Sequence, residues 1–250
     1  MISERAFSQA FHSFWKELLP FLTSHYITLF NEAYEVAVLD DQGNPFSELE
    51  LPEALDRADV ASELGFRLAK LAHTSGVSLF DREALLGLLS DAVSEVQANL
   101  HRHEGRQSDI EPTNIEIDEA LDLCARYADL PRLLKGAQMQ WCPPLKGFGF
   151  INSCEADLAA GPLLVEVKTT TRRVSGRDLR QILVYLALDA AQKTYRWSSF
   201  GIFNPRRAAF SCLSVETFIA YVSGGRTVHD VCADILSFAE SSDLLIEKRF

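Results

Sequence analysis

The chain has 250 residues, of which 47% are hydrophobic and 24% charged, and its formal net charge is −11. This balance excludes collagen-like, low-complexity and wholly disordered chains, and the length suits one large domain or two small ones. The acidic total argues against a protein that coats nucleic acid, and no apolar run approaches the roughly 18 residues of a membrane span.

The N-terminus, MISERAFSQAFHSFWKELL, carries charge early and reads as an amphipathic helix rather than a signal peptide. Ala6, Phe7, Ala10, Phe11, Phe14 and Leu18 fall on one side of a helix over 3–19. Their aromatic members suit a core, not a base-stacking platform. Residues 21–39 fit either helix or strand, and 40–52 read as a loop from their Gly, Asn and Pro content. Helical spacing returns at about 53–73 and about 80–101. The polar stretch 102–113 is the linker candidate. It divides a mainly helical acidic region, 1–110, from a core at 111–250.

Thr113 and Glu116 fit a capping box opening a helix whose stripe is Ile117, Ala120, Leu121, Cys124 and Ala128, running to about Lys135. Two strand-like runs then flank the turn at 159–162. A helix at about 177–192 buries Leu179, Ile182, Leu183, Leu186 and Ala190. A strand at 196–203 stops at Asn204-Pro205, and two helices close the chain near 214–222 and 227–240. This order predicts an α/β or α+β fold. The five cysteines are an odd number without a CxxC pair, and they read as reduced and mostly buried in a cytoplasmic protein.

Charge is unevenly spread. Residues 1–110 hold 8 Lys/Arg and 18 Asp/Glu, a net of −10, whereas 166–207 hold 9 basic and 3 acidic residues, a net of +6. A local basic field is what phosphate contact needs, and a solvated helix and loop would carry the same charges. In the second strand of the hairpin, Leu164, Glu166 and Lys168 share one face, while Leu163, Val165 and Val167 share the other and can face the core. Closing the hairpin brings Asp157 and Glu155 to the Glu166 face. Carboxylates gathered beside a buried sheet need a partner or a cation. Two of them can bind Mg²⁺ through oxygen, and a lysine beside them can orient water and stabilise developing charge. Gln181 and Tyr185 lie at i and i+4 on the next helix, with Asp178 on roughly the same side.

Asp157, followed by Glu166-Val167-Lys168 and then Gln181-x-x-x-Tyr185, resembles the PD-(D/E)XK nuclease superfamily, in its RecB-like, QxxxY branch. The resemblance covers about residues 113–210 and implies a restriction-endonuclease-like core. It implies Asp157 and Glu166 as ligands of Mg²⁺ or Mn²⁺, the Val167 carbonyl as a third, and Lys168 as the catalytic lysine. Gln181 and Tyr185 would support the site. The family often adds an acid from the helix before the hairpin, for which Glu119 is preferred over Glu116. Ala156 stands where the signature proline would be, and the iron–sulfur cysteine cluster of part of that branch is absent.

The activity implied is hydrolysis of DNA phosphodiester bonds, with Arg172, Arg173, Arg177 and Arg180 as candidate nucleic-acid contacts. The resemblance also implies an effector of a bacterial restriction or anti-phage system. Its protein partner, a helicase, ATPase or sensor subunit, would dock on the acidic N-terminal region. A catalytically silent binding module and an RNA-directed nuclease are the alternatives, since no motif here reads a 2′-hydroxyl. Glu155 competes with Asp157 as a ligand. His101 and His103 suit a solvated loop better than a metal site. Arg206 and Arg207 suit a phosphate contact and an exposed turn equally.

Overall fold

The computed structural model describes residues 1–104 and 111–241. The single helix expected over 3–19 is two, α1 (Glu4–Gln9) and α2 (His12–Leu18). The break is at Phe11, whose φ of 55° is left-handed. It turns the Phe11 ring into an aromatic group with Phe7, Phe150 and Phe238, at 5.1–5.7 Å between centroids. Residues 21–39 resolve into α3 (Ser24–Tyr34), started by the Thr23 hydroxyl accepting from the Tyr26 N–H, and a short strand, β1 (Glu35–Ala37). Next come α4 (Ala58–Ser75), ended by Gly76 at φ 70°, then α5 (Arg82–Gly87) and α6 (Leu89–Glu104). Helix α6 thus runs past the expected start of the linker. The rest of the linker up to residue 110, and the side chains of His101 and His103, lie outside the described residues.

The Thr113–Glu116 capping box is present and opens α7 (Asn114–Ala125). The helix expected to continue to Lys135 tightens into a 3₁₀ turn at Arg126–Asp129 and restarts as α8 (Leu130–Leu133) around Pro131. Short strands follow: β2 (Met139–Trp141), β3 (Pro144–Leu145), β4 (Cys154–Glu155), β5 (Leu158–Ala160) and β6 (Leu163–Val167). Then come α9 (Gly176–Ala191), β7 (Ser199–Asn204), β8 (Ala209–Ser214), α10 (Val215–Ser223) and α11 (Val228–Ser241).

The architecture is mixed α/β, about half helical, around a six-stranded sheet in the order β1-β8-β7-β6-β5-β2. Strand β6 pairs antiparallel with β5 and parallel with β7, the parallel step being carried by α9. Both faces of the sheet are covered. Leu164 packs with Ile182, Leu183 and Phe200 on one side, and Val165 packs with Leu64, Leu121 and Phe203 on the other. The run Leu163-Leu164-Val165 is therefore continuously apolar, as a strand buried on both faces requires. Each apolar layer draws on residues from either side of residue 110: Phe7 and Trp15 join α9 in one, and Phe66 and Leu68 join α7 in the other.

Gly65 sets the spacing of α4 against α7. A Cβ there would stand 2.9 Å from the Ala120 carbonyl oxygen and 3.2 Å from Leu123 Cβ. Gly65→Leu is expected to push the helices apart and cost roughly 1–3 kcal/mol, read by urea denaturation. An unchanged midpoint would mean that the two helices have room to spare.

Candidate functional site

The tight hairpin builds the site. Leu158 pairs with Val165 and Ala160 with Leu163, leaving Gly161-Pro162 as the turn. Gly161, at φ 55°, supplies the left-handed backbone the turn needs. Asp157 immediately precedes β5 and so lies beside Glu166. Its Oδ2 accepts the Val167 N–H at 2.7 Å, which ties the two strands together at the site.

Glu166 projects from β6 toward α9 and is 3% exposed. One carboxylate oxygen accepts from Lys168 Nζ at 2.6 Å. The other, Oε2, is buried and has no hydrogen-bond partner. Lys168 also donates to Gln181 Oε1 at 2.7 Å, and Gln181 Nε2 donates to the Tyr185 hydroxyl at 2.9 Å. A polar chain thus runs from Glu166 through Lys168 and Gln181 to Tyr185, across strand and helix. Glu166, Gln181 and Tyr185 are all buried. Such a chain holds each rotamer against its neighbours.

Charge states follow from this enclosure. Burial raises the Asp157 carboxyl well above the usual carboxylate range, and neighbouring Glu166 raises it further, against the opposing Lys168 ammonium and Val167 N–H. Burial alone would lower Lys168, but Glu166, by charge and hydrogen bond, and then Asp157 and Asp178 outweigh it and hold the ammonium above its ordinary value. Burial also drives the Tyr185 phenol well up, with Glu166 and Asp157 adding to it, so the hydroxyl stays neutral.

The expected helical acids stand elsewhere. Glu119 is buried against Arg206, Oε1 to Nη2 at 2.5 Å, and Glu116 is held by Arg57 and by its own capping box. Neither joins Asp157 and Glu166. Two acids that the sequence did not single out come closer. Glu4 of α1 accepts from Gln181 Nε2 at 3.4 Å, and Glu63 of α4 carries charge that acts on Asp157. They lie 177 and 94 residues from their site partners, and no local pattern links such distant positions. Glu155 sits on β4, opposite Pro144.

The arginines divide. Arg172 is engaged by Asp178 at 2.6 Å, and Arg180 donates to the Ser8 carbonyl at 2.7 Å while lying over the Trp15 ring. Arg173 and Arg177 are exposed. Arg206 is buried, and Arg207 pairs with Glu35 and Glu48, so neither is an exposed turn charge. All five cysteines are free, three of them buried.

Among the described residues no group of three or more His, Cys, Asp and Glu side chains is disposed to hold a metal ion, and no helix is long and apolar enough to cross a membrane. No protein-family model, curated protein or solved structure matches the chain.

Proposed function

We propose that the chain is a metal-dependent nuclease with a PD-(D/E)XK core, acting on DNA. The observation that carries this reading is the second oxygen of Glu166, buried without a hydrogen-bond partner beside Asp157 and Lys168. A buried carboxylate oxygen left unpaired is costly, and a cation would remove that cost. The motif elements support the reading by their placement: the acid before β5, Glu166 on β6 with Lys168 just past its end, and Gln-x-x-x-Tyr on α9.

The residues fit Mg²⁺ or Mn²⁺ in a particular way. Asp157 and Glu166 offer hard oxygen donors, and the Val167 carbonyl at the strand end is the third candidate. Mg²⁺ is commonly held by one or two carboxylates with water filling the rest, so a pair suffices without an all-protein cage. When bound, such an ion polarises a phosphate and lowers the pKa of water. Lys168, kept protonated between Glu166 and Gln181, places positive charge where a phosphate would develop negative charge. Gln181 fixes the lysine, and Tyr185 fixes Gln181. Burial on α9 excludes bulk water from this chain of contacts.

The acidic N-terminal region is proposed to bind a helicase, ATPase or sensor partner within a bacterial restriction or anti-phage system. The test is cleavage of supercoiled plasmid and of single-stranded DNA in Mg²⁺ or Mn²⁺, against EDTA. Cleavage is expected only with metal, and Lys168→Ala is expected to lose it by roughly a hundredfold or more. A protein that neither cuts nor binds Mn²⁺ by calorimetry would be a binding module, not an enzyme.

A further inference from the structure

Lys168 borders a narrow cleft whose walls include Thr170, Arg173, Asn204, Arg207 and Glu35. The cleft opens between the ends of β7 and β8 and the segment that leads into α9. Asn204 Nδ2 donates to the Thr170 carbonyl at 2.8 Å and Asn204 Oδ1 accepts the Arg207 N–H at 3.1 Å, so one asparagine fixes both walls. Arg207 is mostly enclosed, with 11% of its side chain exposed, and its Nε is buried without a hydrogen-bond partner. Its terminal nitrogens meet two carboxylates, Glu48 at 2.9 Å and Glu35 at 3.4 Å. Both acids come from the N-terminal segment, Glu35 from β1 and Glu48 from the loop after it. Glu48 is 59% exposed, so its hold on Arg207 is screened by water and weak.

We propose that this cleft is a phosphate subsite for the nucleic-acid strand, neighbouring the reacting phosphate, with Arg207 and Arg173 as its ligands and Glu35 and Glu48 standing in for the phosphate when no strand is bound. The proposal rests on the nuclease reading for the role of Lys168, but its own ligand is the backbone phosphate. The buried, unpaired Nε–H of Arg207 and the terminal nitrogen that meets Glu35 form the edge that a phosphate takes in a bidentate contact once Glu35 gives way. Lys168 and Arg173 also line the cleft and add positive charge to it, while the Asp178 carboxylate there is held by Arg172. The acidic N-terminal segment then acts on the site directly: its carboxylates must give way before a strand can seat.

The experiment is fluorescence anisotropy of a labelled single-stranded oligonucleotide with the full chain in EDTA, where cleavage cannot interfere, over a series of salt concentrations. Arg207→Gln is expected to weaken binding roughly tenfold and to reduce the slope of log affinity against log salt by about one. Arg173→Gln, on the surface, is expected to act in the same direction without any risk to the fold. Glu48→Gln is expected to tighten binding severalfold at low salt, because it removes the competing carboxylate. Wild-type affinity and salt slope in both arginine variants, or a Glu48→Gln protein that binds no more tightly, would overturn the subsite. Metal-dependent cleavage by the wild type that survives in Arg207→Gln with unchanged KM would leave the nuclease standing and remove the subsite. Arginine-dependent binding with no cleavage under any metal would do the reverse.

Discussion

Arg206→Ala is expected to be among the most destabilising single substitutions in this chain, at roughly 3–5 kcal/mol. Arg206 is 2% exposed and Glu119, its ion-pair partner, 5%. Removing the guanidinium would leave a buried carboxylate without its ion-pair partner, with only the charge of nearby Arg126 acting on it, which is the costly way to break a buried pair. A typical domain has only about 5–15 kcal/mol to lose. The substitution would also free the carbonyl of Glu50, which accepts from Arg206 Nη1 at 3.4 Å, and so loosen the 38–57 loop from the core. Urea denaturation of Arg206→Ala, and of Arg206→Met, Glu119→Leu and the double variant Glu119→Leu/Arg206→Met, would measure the loss and the coupling. The double variant is expected to recover much of the loss, since apolar groups of similar volume replace a buried pair with little penalty. If Arg206→Ala cost less than about 1 kcal/mol, the pair would be loose and would not anchor the core. As the structure stands, Glu119→Gln should alter stability and leave the metal dependence of any cleavage alone.

That outcome bears on what a sequence can disclose. The hairpin is legible because its signals are local: two short apolar runs, a Gly-Pro turn between them, and charges two apart on one face. The capping box and α9 were legible for the same reason. The pairing of Glu119 with Arg206 is not legible, because the two lie 87 positions apart and only the fold brings them together. The strands β1 and β2 carry three residues each, too few to show a period. The break at Phe11 has no glycine or proline to announce it. It is imposed by aromatic packing against Phe150 and Phe238. Glu4 and Glu63 approach the hairpin from α1 and α4, elements on opposite faces of the sheet, which no reading of the 113–210 segment alone would bring to it.

Asp157→Asn is expected to separate function from stability in opposite directions. The Asp157 carboxyl is held well above the usual carboxylate range by burial and by Glu166. A carboxyl raised in the fold relative to the unfolded chain penalises the fold as pH rises. Below the unfolded value both states hold the proton and there is no penalty. As pH passes through the ordinary carboxyl range, the unfolded chain releases its proton while the fold retains it, so the penalty grows until the raised value is passed. The amide of Asp157→Asn keeps an oxygen to accept the Val167 N–H and carries no charge to desolvate. In EDTA at neutral pH the variant should therefore melt above the wild type, by about 2–4 °C for each 1 kcal/mol of penalty removed, and the difference should vanish in acid. With Mg²⁺ or Mn²⁺ present the order is expected to reverse. A cation displaces the proton from Asp157, so its binding should strengthen with pH and raise the wild-type Tm, by about 2.7 kcal/mol in stability at a hundredfold excess over Kd. The variant, lacking that carboxylate, should gain little and should lose cleavage by roughly a thousandfold. Melting curves across pH, with and without Mn²⁺, read both effects in one protein. A variant less stable than the wild type in EDTA at neutral pH would mean that Asp157 is ionised and already paired in the metal-free fold. A metal-induced rise in Tm equal in the two proteins would place the cation elsewhere.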